Sequence, residues 1–209
     1  MKKNSLLKYL AAIALLPAAL FVSCGKEAGK PAPTTAKAVN PYSSESVFDE
    51  VKKTLEKEPN NIDALFHLAD LYERNSQYKE AVDTYNSILK IKPDMGYVHF
   101  KTGTAYDRLN QPEEAVREFR KAAKYIPKNP VLYNNMGVAY GKLGKCGEEI
   151  SALKKAIKLR PSYSSARYNL GMTYLKTKNK KAAMKTYEEL KEFDEGAAGS
   201  LLKEINSAS

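Results

Sequence analysis

Four prolines set the frame of this chain. Pro59, Pro93, Pro127 and Pro161 recur every 34 residues, and each follows a stretch rich in Lys. Proline lacks a backbone N–H and clashes with the preceding helical turn, so each one stops a helix. Between them, apolar residues recur at helical spacing in two bursts separated by a polar break. In the copy over 130–161, Tyr133, Met136, Gly137 and Tyr140 share one stripe, and Ile150, Leu153, Ala156 and Ile157 share another. The break between them falls at 142–145. A lone hairpin of this kind leaves most of its apolar surface wet, so it needs copies of itself on either side.

The copies are present. First segments carry Leu68-Ala69 with Tyr72, Thr102-Gly103 with Tyr106, Met136-Gly137 with Tyr140, and Leu170-Gly171 with Tyr174. Second segments carry Ala81, Tyr85 and Ile88; Ala115, Phe119 and Ala122; Glu149, Leu153 and Ala156; Ala183, Tyr187 and Leu190. Breaks fall at 75–77, 110–112, 144–145 and 178–179. With these columns on a 34-residue period, the chain over 62–197 resembles the tetratricopeptide repeat family. The resemblance implies an all-α, right-handed α-solenoid of helix-turn-helix repeats at 62–95, 96–129, 130–163 and 164–197. Ala69, Gly103, Gly137 and Gly171 are expected where the two helices of each hairpin cross, with the Tyr one turn later beside them. Glu149 departs from a column that is otherwise Ala, where an unpaired charge is costly. It is expected to rotate outward or to find a lysine.

The ends fit a solenoid. Residues 43–61 read as a half-repeat helix with Val47, Phe48, Val51 and Leu55 as its buried stripe. Residues 198–209 read as a capping helix and tail, covering the fourth repeat through Leu201, Leu202 and Ile205.

Ahead of the repeats, three lysines within 1–8 precede an apolar run over 10–22 that ends at Ser23-Cys24-Gly25. A charged head, a short apolar run and a small residue before the cut form a signal-peptide pattern over 1–23. Ala19-Leu20-Phe21-Val22-Ser23-Cys24 resembles the bacterial lipobox, which implies acylation of Cys24 and a cell-envelope address. Gly25 after the cysteine favours the periplasmic face of an outer membrane. Residues 24–42, rich in Pro, Ala, Thr and Lys, cannot form a core and read as a tether.

Charge is divided along the chain. Residues 43–98 hold 7 basic and 11 acidic side chains, whereas 142–185 hold 12 basic and 2 acidic. The basic half is either a solvated lysine face or a docking surface for anionic lipid, cell-wall polymer or an acidic partner. Lys142, Lys154, Lys155, Lys158 and Lys176 form the candidate patch. The exported address stands against nucleic acid, although the charge alone would allow it. Two cysteines in unlike contexts exclude a disulfide framework, and Cys146 reads as a packed thiol. His67 and His99 are the only histidines and read as surface or groove side chains. No metal-ligand spacing, nucleophile-and-base pattern or phosphate loop is present, so neither enzyme activity, cofactor nor small-molecule substrate is expected.

Binding remains. The resemblance implies that first helices line a concave groove. Candidates there are Phe66, His67 and Asp70; Tyr97, Phe100, Lys101, Thr104 and Arg108; Asn134, Asn135 and Val138; Tyr168, Asn169 and Met172. Asn135 and Asn169 occupy one column, and a side-chain amide can donate to and accept from a peptide backbone at once. Lys, Asn and Arg at the positions some relatives use to clamp a terminal carboxylate are not reproduced. The expected function is a non-catalytic, membrane-anchored scaffold holding a protein or extended peptide segment in envelope assembly or secretion.

Overall fold

The computed structural model describes residues 44–208, and the signal peptide, Cys24 and the tether lie outside them. Among the described residues the chain forms ten α-helices: α1 (Ser44–Lys57), α2 (Ile62–Arg74), α3 (Tyr78–Ile91), α4 (Gly96–Arg108), α5 (Pro112–Tyr125), α6 (Pro130–Lys142), α7 (Cys146–Leu159), α8 (Ser164–Lys176), α9 (Lys180–Lys191) and α10 (Glu195–Ser207). Helices α2–α3, α4–α5, α6–α7 and α8–α9 pair as antiparallel hairpins stacked in chain order, an all-α solenoid.

Local chemistry repeats with the period. Each hairpin turns through one left-handed residue, at Ser76, Asn110, Gly144 and Lys178. Just beyond it, the N–H of Gln77, Gln111, Lys145 and Asn179 donates to the carbonyl of Tyr72, Tyr106, Tyr140 and Tyr174. These bonds satisfy carbonyls that each first helix would otherwise leave orphaned. Only Gly144 enters the left-handed region without a Cβ penalty. Asn61, Asn129, Asn179 and Asp194 cap the helices that follow them through their side-chain oxygens.

The core follows the columns. Ala81, Ala115 and Ala183 are fully buried, as are Tyr85, Phe119 and Leu153, and Ile88, Ala122, Ala156 and Leu190. A Cβ on Gly103 would stand 2.7 Å from the Phe119 ring, and one on Gly137 would stand 2.9 Å from Leu153. The fourth hairpin differs from expectation. Its Gly171 meets Leu201 of α10, 2.5 Å from an added Cβ, rather than its own second helix. Tyr187, the counterpart of Leu153, is only half-buried.

Three other expectations need correction. Helix α10 starts at Glu195 behind the Asp194 cap, earlier than 198, and buries Ala198, Leu201 and Ile205 while Leu202 is half-buried. The stripe of α1 is half-buried at Phe48, Val51 and Leu55, and Val47 is exposed, because among the described residues that helix packs mainly against α2. Glu149 neither turns out to solvent nor meets a lysine. Its carboxylate fills the notch left by Gly141, whose missing Cβ would lie 2.7 Å from it. There Oε1 accepts from Thr173 Oγ1 at 2.8 Å, while Oε2 is buried without a partner.

Candidate functional site

First helices form the inner layer. Helices α4, α6 and α8 touch in succession, and α10 reaches α8, so the curve closes on their side. Second helices of neighbouring repeats diverge and leave clefts between them.

One end of the inner surface is aromatic. Phe66 stacks on Tyr97 with ring centres 5.9 Å apart, and its other side meets Tyr85 at 5.9 Å. Tyr97 continues to Phe100 at 6.0 Å, and Phe100 to Phe119 at 6.1 Å. Tyr97 is the member that solvent reaches, at 51% exposure. Phe100 does not line the groove: it is buried in the core with Phe119. Burial pushes the Tyr85 phenol far above its ordinary range, and the carboxylates of Glu73 and Asp70 add to the effect, so it stays neutral beneath the aromatic step.

Beside the rings runs an ionic rail. Lys101 bonds Glu73 and stands 3.8 Å from Asp70, which also pairs with Arg74 at 2.8 Å. Thus Lys101, with Asp70 and Glu73, ties α4 to α2. Arg108 is exposed at the end of α4, Thr104 and Val138 are half-buried, and His67 is exposed.

The middle of the groove is amide-lined, but in a different arrangement from the expected pair. Asn169 Nδ2 donates to Asn134 Oδ1 at 3.1 Å, and Asn134 Nδ2 donates to Asn135 Oδ1 at 3.3 Å. Asn134, expected at the surface, is the buried link of this chain. The amide nitrogen of Asn135 and the carbonyl oxygen of Asn169 stay outside it, one donor and one acceptor on successive first helices. Tyr168 and Met172 are half-buried against the cluster built around α9 and α10, so the closing helix partly covers them.

The five candidate lysines do not form one patch. Lys142 binds the Asp107 carboxylate at 2.7 Å, and Lys176 binds the Gly141 carbonyl at 3.1 Å. Lys154, Lys155 and Lys158 are exposed on α7, where Lys155 stands 4.1 Å over the Tyr133 ring. Lys158 lies at the far end of α7 from the turn beside Lys142.

His99 also departs from expectation. It is buried, with Nδ1 2.7 Å from Glu118 Oε2 and Nε2 2.9 Å from the Pro93 carbonyl. Tyr125 stacks on its ring at 6.2 Å. The signal available in the sequence was its column, shared with Leu65 and Tyr133, which marks a buried position. Cys146 is a free, half-buried thiol near the Gly144 carbonyl. Among the described residues no cluster could hold a metal ion, and no helix is long and apolar enough to cross a membrane.

Tetratricopeptide-repeat profiles match residues 51–83 and 134–198, and a TPR-repeat profile matches 103–144. No curated protein matches the chain. Among solved structures, a MamA crystal structure is similar at 20% identity and a TM-score of 0.71, covering 75% of this chain and 91% of its own. MamA from Desulfovibrio magneticus RS-1 is similar at 19% identity and a TM-score of 0.71, covering 76% and 90%. YrrB, described as a TPR protein with an unusual peptide-binding site, is similar at 20% identity and a TM-score of 0.63, covering 77% and 87%. At these identities the likeness concerns the fold. Matched by those profiles over 51–83 and 103–198 and sharing its fold with those solenoids, the chain is built of tetratricopeptide repeats.

Proposed function

We propose that this protein is a membrane-anchored scaffold that holds an extended segment of a partner protein in its inner groove. The observation that carries this reading is the pairing of an aromatic step, Tyr97 exposed over half-buried Phe66, with the amide chain of Asn134, Asn135 and Asn169. A bound backbone can accept from Asn135 and donate to Asn169 while an apolar side chain covers Tyr97. Similarity to YrrB, whose description includes a peptide-binding site, supports the same use of the fold.

Affinity capture from membranes with the full chain tests the groove. Tyr97→Ala/Asn135→Ala/Asn169→Ala should lose partners that the wild type retains, and capture of the same partners at the same yield would remove the groove from the account. Phe100 is left intact because it is a core residue. The anchor rests on the lipobox-like stretch ending at Cys24 and on the tether that follows it. Cys24→Ala should move the protein out of the membrane fraction, since acyl chains supply about 0.8 kcal/mol per buried CH₂. A role in cell-envelope assembly or secretion follows from that address.

A further inference from the structure

On the outer face of the solenoid, clefts open between neighbouring second helices. Leu65, His99, Tyr133 and Arg167 share one column, spaced by 34 residues, and all are buried at the floor of the second-helix layer. In the third repeat the Tyr133 ring fills that place and carries Lys155 on its face. In the second repeat the cleft between α3 and α5 is floored by His99, and both of its ring nitrogens are matched. The fourth repeat is different. A cleft of about 230 Å³ between α7 and α9 is floored by Arg167, which is only 7% exposed.

Arg167 is poorly satisfied there. Its guanidinium lies 4.9 Å from the Phe193 ring centre, and one terminal nitrogen is 3.5 Å from Glu189 Oε2. Its Nε is buried with no partner at all. A guanidinium offers five N–H donors in a planar fork, and leaving such a group incompletely paired in a buried site is costly. Around it stand Lys154 and Lys185, with Tyr174 as an aromatic wall. The single carboxylate, Glu189, is at the rim and 47% exposed, and Lys185 approaches it at only 3.9 Å. The lining therefore has three cations against one carboxylate that is free to swing into water.

We infer that the α7–α9 cleft is an anion site: Arg167 takes a carboxylate or phosphate group through its fork, and Lys154 and Lys185 flank it. The bound group replaces Glu189 and supplies the acceptors that the guanidinium lacks. Such a group comes either from a free small anion or from an acidic side chain of a partner docked on the outer face. This site is independent of the inner groove.

The Nε–H signal of Arg167 in the ¹⁵N-labelled full chain provides a direct reading. Titration with inorganic phosphate, and separately with an end-blocked peptide of alternating Glu and Gly, should shift that signal saturably. A response to phosphate assigns the site to free anions, and a response to the peptide alone assigns it to a protein partner. No shift with either overturns the inference. Glu189→Gln, at an exposed rim position that leaves the fold intact, should tighten binding by about two- to fivefold, the range of a half-exposed ion pair. By calorimetric titration with the same ligands, needed because the substitution removes the reporting group, Arg167→Gln should weaken binding by about tenfold or more, and Lys158→Gln, outside the cleft, should leave it unchanged. Equal weakening by Lys158→Gln and Arg167→Gln, or no gain from Glu189→Gln, would mean general attraction to a basic surface and would sink the site.

Discussion

In the third hairpin Gly137 faces Leu153 of α7, its own second helix, whereas in the fourth Gly171 faces Leu201 of α10, the helix that closes the described stack. The columns are the same and the filler is not. In a hairpin followed by another repeat, the second helix is pressed onto the crossing from both sides. Behind the fourth hairpin it is the single helix α10 that packs on both α8 and α9. Its Leu201 takes the space beside the glycine, and Tyr187 is left half-buried. The small residue in this column thus answers to close approach of some neighbour, not to one fixed partner. The third hairpin carries its own filler, and the fourth borrows one from α10.

That contrast can be broken by substitution. The largest effect is expected from Leu201→Ala, which empties a fully buried site and should cost about 2–5 kcal/mol in urea unfolding of the fourth repeat. A smaller effect sharpens the comparison. Gly171→Ala and Gly137→Ala should each cost about 1–3 kcal/mol through overpacking. Leu201→Ala should relieve the first and not the second, and Leu153→Ala the reverse. If Leu201→Ala relieves both alike, the two crossings are not distinct. Glu149→Ala restores the alanine of its column and removes a buried, unpartnered carboxylate oxygen, so the third repeat should gain about 1 kcal/mol. A loss of that size would show that the bond to Thr173 outweighs the orphaned oxygen. The smallest effect belongs to the turn: Lys178→Gly, at φ 58°, should raise stability by about 0.5–1 kcal/mol. The same change has no counterpart in the third hairpin, where Gly144 already occupies the turn.

The placement of the groove candidates on first helices was legible in advance because it is periodic. Phe66, Tyr97, Asn135 and Asn169 lie on first helices that a 34-residue repeat places side by side. Phe100 and Asn134 were misplaced for one reason. Both share the column of Phe66 and Tyr168, whose side chains stay half-buried, at the boundary between core and solvent. Phe100 packs on Phe119, and Asn134 is held inward by its bonds to Asn135 and Asn169. The basic patch failed because charge was summed along the chain, while the hairpin separates Lys142 from Lys158 by nearly the length of α7 and commits Lys142 to Asp107.

By itself the sequence determined the period, the helix ends and the columns that become core. Those depend on prolines, turn residues and apolar spacing, which act over a few residues and therefore read linearly. Only the tertiary structure decided which neighbour fills each glycine notch, where Glu149 puts its carboxylate, and that Arg167 is buried without a full set of acceptors. Each of these is set by contact between different helices, so it depends on which side chain reaches the shared space first and on what remains there to pair with it.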